Sequence, residues 1–344
     1  MQIVHLSAAL TLLLALALAL APASAQNVKI TPVGSHPGEL CANDRATIFE
    51  DPTGVRILYD AGQTVTGADD ARLGVIHVVL LSHAHGDHIG DQKLKALGAG
   101  DCANSERVPA GPNSMTAEIA AAKTAVIDMT IDMATFIGRK VQNISGKPVA
   151  ICPQTAGATN VPVAAVCRSN THLGGAFIAK APEAAQGVEI TIVYASHANN
   201  VPLSLLSDAH RANLAPDDTS IVLGPPTGYV VKFTNGLVAY LSGDTGIHTE
   251  MKTVINEYHK ANLTLLNIGA SAVTLMSAAH AMNELVRPAS VILSHANEAV
   301  TEGGKLRPTS RTAALIKQLK PTSHLAISGR TMEFDGKGKC VAGC

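Results

Sequence analysis

The sequence predicts an α+β protein built around a sandwich of β-sheets. Short apolar or alternating runs recur from Val55 to Phe334 with helical segments between them, and alternation with a period of two marks a half-buried strand. Five of these runs end in residues with ligand chemistry: Asp60; the group His83, His85, Asp87 and His88; His197; Asp244; and His295. Ligands scattered in sequence but set at strand ends converge on one rim of a sandwich.

The densest of these groups follows the apolar run Val75 to Leu81, which reads as a strand buried on both faces. Ser82-His83-Ala84-His85-Gly86-Asp87-His88-Ile89-Gly90 then leaves the strand as a loop. Neutral imidazoles and a carboxylate suit zinc, and also manganese or iron, and a short Gly-containing loop turns several of them toward one point. Two metals fit, with His83 and His85 on one and Asp87 and His88 on the other. Hydrogen bonding within a polar loop would account for any one of these residues, but not for three histidines and an aspartate within six positions.

At the start of the chain, Leu6 to Ala21 is a Leu/Ala-rich run, and Ala23-Ser24-Ala25 has the small-x-small form of a signal-peptidase site. Residues 1–25 therefore read as an export signal, although the leading segment carries only His5 in place of Lys or Arg. An uncleaved anchor is the alternative, but a spanning helix wants about 20 apolar residues. No stable membrane anchor is expected, and the mature chain is placed in the periplasm or outside the cell.

The remainder, 26–344, is long enough for one large domain, and 47% hydrophobic residues give it a core. A net charge of -1 with no Lys/Arg run leaves no footprint for a long nucleic acid, so a small molecule is the expected substrate. Six cysteines, Cys41, Cys102, Cys152, Cys167, Cys340 and Cys344, permit disulfides in an exported chain. Cys152 with Cys167 is the favoured local pair, and Cys340 with Cys344 is a weak metal-pair candidate.

Val55 to Tyr59 alternates as a strand and ends at Asp60, which either supports a histidine ligand through its far nitrogen or serves as a turn residue beside Gly62. Residues 93–186 read as an insertion beside the site: a Gly/Pro/Asn-rich loop, a helix over Thr116 to Val141, and an irregular stretch. Met129 and Met133 are expected to pack that helix, and His172 to lie on a surface loop. Val188 to Tyr194 is a strand leading to His197, and Asn235-Gly236 joins two strands as a hairpin that runs into Asp244. Leu263 to Ile268 is a strand, a helix follows around Ser277 to Arg287 and stops at Pro288, and Ser290 to Leu293 leads to His295. A last helix, about Thr309 to Leu319, and two short strands complete the fold.

With its HxHxDH signature at His83 to His88, the chain resembles the metallo-β-lactamase fold superfamily. Asn235-Gly236, Ser242-Gly243-Asp244-Thr245-Gly246, Glu250-Met251-Lys252 and Pro288 to His295 make it similar to the metal-dependent hydrolase branch related to ascorbate-6-phosphate lactonase. The resemblance covers about Ile48 to Asp91 and Val188 to Phe334. It implies an αββα sandwich in which His83, His85 and His197 ligate one metal, Asp87, His88 and His295 a second, and Asp244 bridges them, with Asp60 behind a ligand. The chain departs from that branch in its leader, its long insertion and its six cysteines.

The implied reaction is cleavage of a lactone, carboxylic ester or phosphodiester by a hydroxide shared between two divalent metals. Asp87 would ligate and orient the nucleophile. His248, four residues after Asp244, is a candidate proton donor to the leaving group, with a surface histidine after a turn as the other reading. A β-lactam-hydrolysing enzyme suits the leader, but a bridging aspartate belongs to branches that do not open lactams. A metal-binding module without turnover is the alternative from another class, and the full set of seven candidate ligands argues against it.

Overall fold

The computed structural model describes residues 26–212, 214, 221–269 and 272–344, so the expected leader at 1–25 lies outside the described residues. Two sheets are layered against each other. Among the described residues the first runs Cys340–Ala342, Met332–Phe334, Val28–Pro32, Thr47–Glu50, Arg56–Tyr59, Val78–Leu80, Val126–Asp128, Cys167–Arg168, Ala150–Ile151. The second runs Thr322–Leu325, Ser290–Ser294, Leu263–Asn267, Val238–Leu241, Thr227–Lys232, Val188–Tyr194, Ala176–Lys180, Thr159–Asn160.

Side-chain alternation decides the layers. Ile57, Tyr59, Val78 and Leu80 from the first sheet join Ile190, Ile192, Tyr229 and Val231 from the second in one core. Their neighbours Leu58, Val79 and Leu81 belong to a second cluster, in which Ile119, Met133 and Ile137 of the helices Met115–Lys123 and Ile131–Ser145 cover the outer face. On the other sheet, Ile255, Met282 and Leu315 bring in the helical segments Met251–Tyr258, Ala281–Val286 and Arg311–Ile316. The result is the αββα layering expected from the sequence.

The hairpin at Asn235-Gly236 forms as expected: Lys232 pairs with Val238, and Gly236 takes φ 93°. Residues 93–186 contribute strands to both sheets. The single helix expected over Thr116 to Val141 is two, ending at Lys123 and restarting at Ile131, because Thr124 turns left-handed at φ 52° and the β-branched Val126-Ile127 enters the first sheet beside Val78–Leu80. Ala176–Lys180 joins the second sheet against Val188–Tyr194. Met129 and Met133 are buried in packing, and His172 is exposed.

Three disulfides link Cys41–Cys102, Cys152–Cys167 and Cys340–Cys344. The second is the pair favoured by the sequence, and the third uses the thiols that a terminal metal pair would have required.

Asp128, at the end of its strand, is fully buried, and its Oδ2 has no hydrogen-bond partner among the described residues. Burial pushes its carboxyl up to about 7, with the Ser169 and Thr171 hydroxyls pulling the other way. An unfolded aspartate titrates near 3.9, so the folded state holds the extra proton between those values. Its contribution to stability is whole below about pH 4 and falls away as pH rises through 7. Asp128→Asn is therefore expected to lie within about 1 kcal/mol of wild type near pH 4.5 and to exceed it by roughly 4 kcal/mol at pH 8. Urea unfolding at both values checks this, and a difference independent of pH would contradict it.

Candidate metal centre

The five strand ends named by the sequence meet at one rim. Asp60 follows Arg56–Tyr59, and His83 to His88 follow Val78–Leu80. His197, Asp244 and His295 follow Val188–Tyr194, Val238–Leu241 and Ser290–Ser294. The turn before Asp244 requires a glycine: Gly243 has φ 60°, and a Cβ there would lie 2.5 Å from the Thr227 carbonyl oxygen.

Three overlapping groups each bring their ligand atoms within 4.8 Å of one another: His83, His85 and His197; His83, His88 and Asp244; Asp87, His88 and His295. Asp244 stands between the outer two. Its Oδ2 lies 3.8 Å from His197 Nε2, and its Oδ1 lies 3.6 Å from His88 Nε2 and 3.3 Å from His295 Nε2. Asn267 Nδ2 donates to the same Oδ1 at 3.1 Å. His83, His88, His295 and Asp244 are buried, whereas His85, Asp87 and His197 are partly exposed. The centre thus opens on one side.

Asp60 sets the protonation pattern. It is buried at φ 44°. Its Oδ1 accepts from Ser82 N at 2.8 Å, and its Oδ2 accepts from the Ser82 hydroxyl at 2.8 Å and from His88 Nδ1 at 2.7 Å. The hydroxyl has one proton. Having given it to Asp60, Ser82 accepts from His83 Nδ1 at 3.0 Å. On this network the Nε2 atoms of both His83 and His88 face the centre as ligand atoms. Sequence reasoning anticipated Asp60 but gave Ser82 no role, although its position directly before His83 was the available signal.

Electrostatics match a cation site. Burial and the neighbouring imidazolium of His88 hold His83 well below its usual range, burial and His197 lower His85, and burial and Arg45 lower His295. These rings are neutral at pH 7, as metal ligation requires. Burial disfavours a charged His88, but Asp87, Asp244 and Asp60 outweigh it and lift the ring to about 10. Asp87 and Asp244 stay ionised despite burial because His88 and His295 face them. Three carboxylates around one imidazole demand positive charge. His88 Nε2 and His295 Nε2 face each other at 3.0 Å, His83 Nε2 and His85 Nδ1 at 3.0 Å, and nitrogen pairs so placed suit shared divalent ions.

His248 does not join these groups. Its ring meets Tyr194 edge-on at 5.2 Å between centroids, and both ring nitrogens are shielded from solvent with no hydrogen-bond partner among the described residues. No hydrogen bond among the described residues connects it to the rim, so the geometry gives no support to the expected donor role.

No protein-family model matches the chain. A UPF0173 metal-dependent hydrolase of Cupriavidus taiwanensis is 27% identical over 224 residues, 65% of this chain; the chain spans 59% of that relative's length. Among solved structures, Igni18, a metallo hydrolase of Ignicoccus hospitalis, aligns at TM-score 0.52 with 20% identity over 90% of this chain and 99% of its own. The metallo-β-lactamase fold protein YhfI of Bacillus subtilis aligns at TM-score 0.50 with 13% identity and the same coverage. The chain has the metallo-β-lactamase fold. The metallo-β-lactamase fold accounts for the shared rim: its two sheets bring strand ends far apart in sequence to one place, as in the groups above.

Proposed function

We propose that the chain is an exported hydrolase that uses two divalent metal ions to cleave a small ester-like bond, in a lactone, carboxylic ester or phosphodiester. The observation that carries this reading is Asp244, one oxygen toward His197 and the other toward His88 and His295. His83, His85 and His197 would hold one ion, Asp87, His88 and His295 the other, and Asp244 would touch both. Zinc suits this donor set first, and manganese or iron also fits. The Cupriavidus taiwanensis relative is named a metal-dependent hydrolase, which supports the activity class.

When bound, the ions supply Lewis acidity to a water and to the reacting carbonyl or phosphoryl oxygen. The chain's own part is positioning. Asp60 and Ser82 fix the tautomers of His88 and His83. Asp87, its side chain 35% exposed, sits at the open side where it would orient the attacking water. Substrate would enter over the partly exposed His85 and His197. Export is supported by the Leu6–Ala21 run, the Ala23-Ser24-Ala25 site and the three disulfides. No helix among the described residues is long and apolar enough to cross a membrane.

Elemental analysis is expected to find about two metals per chain. A panel of lactones, esters, phosphodiesters and a β-lactam should then give one cleaved class, with turnover lost to a chelator and restored by added zinc. Protein without metal would overturn the reading. Cleavage confined to the β-lactam would replace the substrate class.

A further inference from the structure

Arg45 is a buried cation beside the centre whose place in the chain carries no motif. Its side chain is 3% exposed, and its five N–H donors all have acceptors. Nε and Nη2 donate to Asp87 Oδ2 at 3.3 and 3.2 Å, and Nη2 also donates to Asn297 Oδ1 at 2.5 Å. Nη1 donates to the carbonyls of Ala42 and Asp44 at 2.9 and 3.1 Å.

Of the two side-chain acceptors, Asp87 is itself a candidate ligand and Asn297 shares a loop with another, His295. Asp87 Oδ2 is also the oxygen 3.3 Å from His295 Nε2. Asn297 lies two residues beyond His295, on a loop where both take positive φ, 50° for His295 and 56° for Asn297. Side chains rarely hold that conformation without outside support. The guanidinium is itself anchored. Its loop is tied by the Cys41–Cys102 disulfide and by the Asp44 carboxylate, which accepts from Ser35 N at 2.8 Å and Cys41 N at 2.9 Å. Its stem packs on the turn after Asp60, where a Cβ at Gly62 would come within 2.9 Å of Arg45 Cβ.

We propose that Arg45 is a positioning residue, holding Asp87 and the His295–Asn297 loop in the mutual geometry that completes the Asp87, His88 and His295 group for a divalent ion. The inference rests on the two-metal reading. A planar fork is essential to it, because one guanidinium meets a carboxylate, an amide oxygen and two carbonyls at once. A lysine ammonium, with three donors on one atom, cannot span these acceptors.

The test titrates metal-stripped protein with Zn²⁺ by calorimetry, comparing wild type, Arg45→Met and Arg45→Lys, with thermal unfolding of each. Wild type is expected to bind in two steps. In both variants one step should keep its affinity while the other weakens by about 10- to 100-fold, the usual loss when an outer partner of a ligand is removed. Loss confined to one step is a result that general destabilisation would not produce. Two unchanged steps in both variants, or full rescue by lysine, would overturn the role of Arg45 and leave the two-metal reading standing. A wild type that binds one ion would overturn that reading and this inference together.

Discussion

Asp60→Ala is expected to leave a protein that is severely destabilised and poor at holding metal. The substitution removes the acceptors of three buried donors: Ser82 N–H, the Ser82 hydroxyl and His88 Nδ1–H. A buried donor left without a partner costs about 1–3 kcal/mol, so the three together approach roughly 3–9 kcal/mol. That is comparable with the whole stability of a domain, about 5–15 kcal/mol. Alanine would also have to hold the positive φ of 44°. With the carboxylate gone, the Ser82 proton is free to point at His83 Nδ1, and both ligand tautomers lose their definition. Urea unfolding gives the stability, and zinc titration at a temperature where the variant is folded gives the affinity, expected to fall by at least 10-fold. Asp60→Asn is the gentler probe, since it keeps the shape but confuses the proton order. If both variants bind zinc like wild type, Asp60 is only a turn residue.

Asp244→Ala should do the reverse, sparing the fold and crippling the centre. Asn267 loses one hydrogen-bond acceptor, a cost of about 1–3 kcal/mol. Both candidate ion positions lose an oxygen at once, because the two carboxylate oxygens face different groups. Metal content is expected to drop from about two per chain to about one. Turnover on whichever substrate the panel identifies should fall by more than the 10- to 100-fold that follows loss of an outer partner. Elemental analysis beside a rate measurement decides it: an unchanged content of two would remove Asp244 from the bridging role.

Much of this was legible because the governing patterns are local. Val188 to Tyr194 alternates over seven residues and is a strand with those limits, and the Asn235-Gly236 turn sets its own register. The candidate ligand residues announced themselves by position, each just past an apolar run. Two kinds of feature escaped. Val126-Ile127 is too short to interrupt a helical reading, and it becomes a strand because a place beside Val78–Leu80 is available in the sheet. Arg45 finds its partners 42 and 252 residues away, and nothing around it in sequence distinguishes it from a surface arginine. Ser82 was hidden differently: its residue type fits any loop, and only the joint geometry of Asp60, His83 and His88 reveals which way its single proton points.

The Cys41–Cys102 bond closes a covalent ring across a sequence separation of 61. Inside that ring lie Arg45, Asp60, Ser82 and the whole of His83 to His88; His197, Asp244 and His295 lie outside it. Even a fully denatured oxidised chain therefore keeps half of the centre on one tethered circle, a restriction that chain-entropy models value at roughly 4 kcal/mol. A protease that cuts once within the ring would produce no separable fragments until a thiol reductant opened it, so the ligand-rich segment is shielded from loss as well as from disorder.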